Sequence, residues 1–401
     1  MTDREIDRNG GSVPSVFAAF LRLGCTSFGG PVAHLGYFRT EFVERQNWLD
    51  ESSYADIVAL CQFLPGPASS QVGVSLGLRR AGLLGGLAAW AGFTLPSAVL
   101  MVLFAYGVAR LGDVEHAGWL QGLKIVAVAV VAQAIWGMAR TLCPDRLRAS
   151  LAVAAALLAL AVPAAIGQIG AIVLGGLIGW RFLAATAQPA AGAAPAAPRS
   201  RIAIPALVVF VALLLGLPVL ADLSGSHALD LAARFYRSGA LVFGGGHVVL
   251  PLLQEAVVAP GWIDSSRFLA GYGAVQAMPG PLFTFAAYLG AALGPPPDGW
   301  LGAGLCLLAI YLPSFLLLIG ILPFWEGLRR RAAVQAILRG VNAAVVGLLI
   351  AAFYTPVWTG GIRSGVDFAI GLAAFLLLVF WRVPPWIVVI LGAAGGAALA
   401  A

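Results

Sequence analysis

Apolar residues gather along this chain in long uncharged blocks: Ala81–Ala109, Ala149–Trp180, Ile202–Ala221, Gly299–Trp325 and Gly340–Ile362. Each reaches the roughly 20 residues that cross a bilayer as a helix. The blocks are continuous and do not alternate with polar positions, so they predict helices and not the strands of a barrel. Before them lie segments too short or too polar to cross simply, at 14–28, about 35–46, 51–64 and 67–79. Crossings are expected over about 82–109, 118–140, 148–162 and 164–182, with a turn at "AVPAA" (161–165) between the last two. The fold class predicted is an all-α polytopic membrane protein.

The pattern then repeats. "RLGCTSFGG" (22–30) matches "RSGALVFGG" (237–245), and "NWLDESSYADIVALCQFLPGP" (47–67) matches "GWIDSSRFLAGYGAVQAMPGP" (261–281). "TLPSAVL" (94–100) matches "YLPSFLL" (311–317), and "LQGLKIVAVAVVA" (120–132) matches "LRGVNAAVVGLLI" (338–350). The order is kept, so the chain reads as two homologous halves, 1–183 and 228–401. Residues 184–227 hold an Ala/Pro-rich linker, "AATAQPAAGAAPAAPRS" (184–200), and one extra crossing. That crossing, 202–221, has no counterpart, and an unpaired crossing between two copies reverses the second in the membrane. Arginine placement agrees: Arg79–Arg80 precede the first copy's long helix, whereas its mate ends at Arg329–Arg331. Basic residues mark the cytoplasmic side, which puts the N-terminus inside. This is an inverted-repeat arrangement of the kind secondary transporters use.

Composition narrows the class further. The 401 residues are 60% hydrophobic and 10% charged, and the mean hydropathy is +0.91. A soluble domain carries about 25% charged residues. The net charge of +6 is small for nucleic-acid binding. "MTDREIDRNGGS" has no cleavable-signal pattern. The four cysteines, Cys25, Cys61, Cys143 and Cys306, show no metal or redox spacing and read as small apolar residues; no cofactor or metal is expected. There is no H-E-x-x-H, no nucleotide loop and no catalytic carboxylate pair in a crossing, so an enzyme is not expected.

The candidate chemistry sits at the breaks. "QFLPGP" (62–67) and "QAMPGP" (276–281) each interrupt a helical pattern. Proline blocks the helix behind it, and glycine lets backbone approach a ligand. Broken backbone survives in a membrane only where protein or a polar cavity satisfies it. A helix restarting at Pro67 offers free N–H groups to an anion, and Ser69, Ser70 and Gln71 could add donors. After the second break the chain reads Leu282, Phe283, Thr284, so the first site is expected to be the richer one. Gln62, Pro65, Gly66 and Pro67, with Gln276, Pro279, Gly280 and Pro281, are therefore candidate binding residues. A tight interfacial turn is the alternative.

Gly29 and Gly30, and Gly244, Gly245 and Gly246, form glycine runs that can hold an anion on backbone N–H groups. His34 and His247 follow closely and are candidates for proton coupling, or are packed neutral rings. Arg22 and Arg237 match in the repeat and mark an ion path or snorkel to headgroups. Glu41 and Glu255 match with a one-residue gap, and counter the arginines, relay protons or face solvent. Lys124 falls in an apolar crossing and has Asn342 as its mate, so it reads as a substrate residue, with an anchor whose long stem reaches the interface as the alternative. Asp50 and Asp264 read as helix N-caps.

These motifs together, FGGP…H, W-[LI]-D, Q-x-x-P-G-P and L-P-S in a duplicated layout, resemble the chromate ion transporter family over about 13–182 and 228–400. The resemblance implies export of chromate, a tetrahedral dianion, from the cytoplasm through the cytoplasmic (inner) membrane, with chromate resistance as its consequence. Some members are associated with sulfate, so a sulfate or related oxyanion permease is the alternative carrier, and an anion channel the alternative mechanism. The partners expected are the oxyanion and the lipid bilayer, with no nucleic acid; a homodimer is left open. Gly246 in place of Pro31 departs from a strict two-fold site.

Overall fold

The computed structural model describes residues 11–110, 117–162, 165–183, 201–329 and 331–400. The expected linker 184–200, part of the turn at 161–165, and Arg330 lie outside the described residues. In the first half α1 (Val13–Thr26) leads to α2 (Gly30–Arg39), which runs into a π-helical turn at Thr40–Arg45. Then come α3 (Glu51–Phe63), α4 (Ala68–Arg110), α5 (Gly118–Leu142), α6 (Arg146–Ala161) and α7 (Ala165–Phe182), with α8 (Ala203–Ser224) following as the extra helix. The second half holds α9 (His227–Ala240) and α10 (Val249–Leu253), the latter between a 3-10 turn at Gly246–Val248 and a π-helical turn at Gln254–Val258. After these come α11 (Ser265–Val275), α12 (Phe285–Ala292), α13 (Gly299–Ile321), α14 (Trp325–Arg329) and α15 (Ala332–Ala352). The chain closes with α16 (Thr359–Gly361), α17 (Gly365–Val379) and α18 (Pro385–Ala400). No strand occurs among the described residues.

Local chemistry sets the helix starts. Asp50 accepts the Ser53 N–H at 2.8 Å and Asp264 accepts the Arg267 N–H at 2.8 Å, so both expected N-caps form. The Ser52 hydroxyl and the Ser53 N–H hold the Asp50 carboxyl down at about 2. Asp145 caps α6 and is likewise lowered, first by the Arg148 N–H.

α4 holds two helical segments. Ala81 (φ −144°) and Gly82 (φ 64°) leave the helical region, and the short first segment folds back along the long second one. The return is close enough that a Cβ on Gly77 would stand 2.3 Å from the Gly85 carbonyl oxygen. The second half makes the same return with α12 against α13: a Cβ on Gly290 would stand 2.2 Å from the Gly302 oxygen. Gly82 does in one left-handed residue what "LGPPPD" (293–298) does in a loop. Each half therefore has a re-entrant helix after its Pro-Gly-Pro break.

The two halves exchange their ends. The α6–α7 hairpin of the first half packs on α15 of the second, and the α17–α18 hairpin of the second packs on α5 of the first. The seams are built of glycine. A Cβ on Gly122 would lie 2.0 Å from the Gly392 oxygen, and one on Gly340 would lie 2.0 Å from the Gly175 oxygen. Gly122 and Gly340 are repeat mates, so the seams are images of one another. Small residues let helices approach where lipid gives no hydrophobic drive. Among the described residues, five helical stretches are long and apolar enough to cross a membrane: Ala68–Arg110, Gly118–Leu142, Ala203–Ser224, Gly299–Phe324 and Ala332–Gly361. α8 packs against α9 and α13 and exposes Leu215 and Leu223.

The mirrored seams make a paired prediction. Gly122→Leu and Gly340→Leu should each destabilise the protein by about 2–3 kcal/mol, the cost of overpacking. Gly137→Leu, on α5 with no atom in the way, should not. Thermal unfolding in detergent checks this. Two seam variants that melt like wild type would contradict the exchange.

Candidate anion site at the crossing of the two breaks

Each Pro-Gly-Pro break ends one helix and starts another through a left-handed glycine. Gly66 has φ 121° and Gly280 has φ 89°, values only glycine adopts freely. Leu64 closes α3 and α4 restarts at Ala68. The freed backbone bonds across the halves. Gly66 N–H donates to the Val242 carbonyl at 2.7 Å, and Gly280 N–H donates to the Ser27 carbonyl at 2.9 Å. Val242 and Ser27 each directly precede a Phe-Gly-Gly. The break of one half is thus held by the glycine loop of the other. A Cβ on Gly66 would stand 2.5 Å from Ser314 Oγ, and one on Gly280 would stand 2.9 Å from Ser97 Oγ. These serines belong to the two L-P-S helices, again each from the opposite half.

Polar side chains crowd this crossing. Gln71 Nε2 donates to the Pro65 carbonyl and to Ser314 Oγ, both at 2.8 Å. His34 Nδ1 lies 3.3 Å from Ser69 Oγ, and Nε2 lies 3.2 Å from the Ser27 carbonyl oxygen. Other buried polar atoms have no protein partner: Ser27 Oγ, Ser70 Oγ, Gln71 Oε1, Thr94 Oγ1, Gln276 Nε2 and Tyr311 OH. The Tyr311 hydroxyl stands beside those of Ser70 and Thr94 without a well-formed bond to either. Native proteins seldom leave such groups unpaired, because each costs about 1–3 kcal/mol. Hydroxyl and amide donors next to the bare N–H groups of a helix start suit an anion.

The other expected residues fall at varying distances from this centre. Gly29 (φ 101°) and Gly30 (φ 78°) open α2, and Gly30 has free space around it. Gly244 (φ 74°) and Gly245 (φ 149°) form the matching loop, and Gly246 lies against Pro31 across the repeat. Pro65, Pro67, Pro279 and Pro281 flank the two turn glycines. Gln276 is half-buried, whereas Gln62 is exposed. Lys124 is buried, but its Nζ reaches Ser266 Oγ at 3.4 Å, at the start of α11. That start is about 15 Å of helix from Gln276. Its mate Asn342 sits instead beside the Gly244 loop.

Arg22 pairs with Glu41 at 2.7 Å and is about half exposed. Arg237 and Glu255 line a separate small cavity with Gln168 and Ser238. Both glutamates lie in the π-helical turns. His247 bonds the Tyr272 hydroxyl at 2.7 Å. Of the cysteines, Cys61 and Cys306 are buried, and Cys25 is exposed. Ser27, Thr94, Ser97, Tyr311 and Ser314 were not singled out from sequence. The serine after each L-P, at matched positions, was the available signal.

The family model described as Chromate transporter matches residues 14–180 and 229–397. The chain belongs to the chromate transporter family. A chromate transport protein of Pseudomonas aeruginosa is 30% identical over 412 residues, covering 96% of this chain and 91% of that protein. A probable chromate transport protein of Synechococcus elongatus is 26% identical, covering 94% and 93%. The uncharacterized transporter YwrB of Bacillus subtilis is 35% identical over 42% of this chain but 85% of its own length, so one half of this family's fold corresponds to nearly a whole relative. No solved structure matches the chain. The family is one of membrane transporters, and the long apolar helices make this member a multi-pass membrane protein.

The unpaired groups predict a trade. Ser70→Ala and Tyr311→Phe each remove a buried polar atom that lacks a protein partner, so the ligand-free protein should gain about 1 kcal/mol and melt later. Calorimetry in detergent reads this. Lower melting temperatures for both would mean that the two hydroxyls are paired.

Proposed function

We propose that this protein is a secondary transporter that exports chromate from the cytoplasm across the cytoplasmic membrane, and so confers resistance to it. The observation that carries the reading is the crossing of the two breaks. There, a helix start and a set of unpartnered hydroxyl and amide groups meet inside a chain of the chromate transporter family. A tetrahedral dianion offers four acceptor oxygens to such donors. The binding residues are Ser27, Ser70, Thr94, Gln276 and Tyr311 with the backbone around Pro65–Pro67 and Pro279–Pro281. Gly29, Gly30, Gly244 and Gly245 line the approach. Arg22 and Arg237 act further out, as does Lys124, which is assigned to positioning α11. Sulfate has the same shape and charge and is the second reading.

The direction follows from charge. An inside-negative potential is worth about 2.3 kcal/mol per charge per 100 mV, so a dianion departing uncompensated gains roughly 4–5 kcal/mol per 100 mV, and one that leaves with a proton about half of that. We place the N-terminus inside and the second half inverted. α8, a crossing without a counterpart, and the arginines at the ends of the long helices support this topology.

Radiolabelled chromate in proteoliposomes tests the reading. Flux should saturate, show counterflow and accelerate outward under an inside-negative potential. Ser70→Ala and Tyr311→Phe should each raise the half-saturating concentration about tenfold, the loss of one bond to a charged ligand. Linear flux without counterflow would make the protein a channel. Sulfate transport with no response to chromate would favour the second reading.

A further inference from the structure

The hydrogen bonds around His34 fix its state. The ring is 0% exposed, near the start of α2. Its Nε2 faces the Ser27 carbonyl oxygen at 3.2 Å, and a carbonyl only accepts, so Nε2 carries the proton. In the neutral ring Nδ1 then only accepts, so Ser69 donates its hydroxyl proton across the 3.3 Å to it. The Ser69 hydrogen therefore points at the ring. The same Ser27 oxygen also accepts Gly280 N–H, which ties the ring to the bond between the halves.

A second proton reverses one of these bonds. An imidazolium donates through both nitrogens. Nδ1–H then donates to Ser69 Oγ, and the serine's own hydrogen must turn elsewhere. Ser69 lies in the first turn of α4, where backbone N–H groups lack helical partners. Beside it Ser70, 2% exposed, already holds an unpartnered hydroxyl.

We propose that His34 is a proton-linked latch: its protonation frees the Ser69 hydroxyl for the oxyanion at the start of α4, so that one proton binds with each anion. The proposal rests on the reading that an oxyanion occupies this crossing. The dianion supplies the opposite charge that a buried imidazolium needs. The second half has no such device. The mate of Ser69 is Phe283, and His247 bonds the Tyr272 hydroxyl instead.

Most titratable groups on the elements around α2 have partners other than the ring. Tyr54 of α3 donates to the Leu35 carbonyl at 2.6 Å, and Cys61 faces Ser75. Glu51 pairs with Arg39, which also pairs with Glu44. Glu41 takes Arg22 and Arg45, and Asp56 and Arg80 have interactions of their own. Phe93, from the long segment of α4, meets the ring edge to face, centroids 5.2 Å apart.

Chromate binding to the purified full-length protein is measured by calorimetry from about pH 7.5 to 9, where the ligand stays a dianion. Wild-type affinity should fall severalfold per pH unit, with about tenfold as the limit for one linked proton. His34→Gln offers an N–H to Ser27 and a carbonyl to Ser69 but takes no proton, so its affinity should be flat with pH. In proteoliposomes loaded with chromate and a pH dye, net wild-type chromate efflux down its gradient should carry protons out and alkalinise the lumen, and His34→Gln efflux should not. Ser69→Ala should weaken binding at the acid end and leave the alkaline end alone. A flat wild-type profile, an equal slope in His34→Gln, or equal weakening at both ends in Ser69→Ala overturns the latch. Net efflux without proton movement overturns the latch and leaves chromate transport standing; absence of wild-type chromate flux overturns both.

Discussion

Two backbone hydrogen bonds tie the halves together at the candidate anion site: Gly66 N–H to Val242 and Gly280 N–H to Ser27. Inside a membrane a helix can be broken only if the freed backbone groups find partners in protein. Each half of this chain finds them in the other. The constraint propagates outward. It needs a left-handed glycine at each break, prolines to end the helical ladder, and the loop before each Phe-Gly-Gly brought across the repeat. It also removes any room for a side chain, because Ser314 and Ser97 press on the two glycines. The site is therefore one composite centre and not one per half.

The exchange of end hairpins serves the same centre. Because α6–α7 clasp α15 and α17–α18 clasp α5, neither half can move off without breaking a glycine seam. Such a frame can keep polar groups buried and unpaired between them, at about 1–3 kcal/mol each until a ligand or water arrives. The duplication also permits asymmetry. Ser69, Ser70 and Gln71 follow the first break, while Leu282 and Phe283 follow the second, so one copy carries most donors and the other supplies Tyr311, Gln276 and scaffold.

Much of this was legible in the sequence because hydrophobic blocks and repeated phrases are local signals. The helices, the two breaks, the Asp50 and Asp264 caps and the unpaired α8 all follow from runs and spacings. The packing does not. A repeat offset says that α5 and α15 are equivalent, but not which copy's hairpin each receives. Lys124 stands in an apolar run, where a long side chain can leave the level of its own Cα, and only the fold shows that it reaches α11's start. Gln62 shares a motif with Gln276, yet one is exposed and the other half-buried. Ser97 and Ser314 passed unnoticed because a serine in an apolar helix ordinarily bonds its own backbone, and only the fold shows them against the opposite glycine.

The central claim is that one tetrahedral oxyanion sits where the two breaks cross. Anomalous diffraction at the chromium edge, from crystals of the full-length protein grown with chromate, locates the metal directly. The account predicts a single peak within reach of the Ser70 and Tyr311 hydroxyls and the first N–H groups of α4. A peak at the Arg237 cavity or beside Lys124, with none at the crossing, would contradict it.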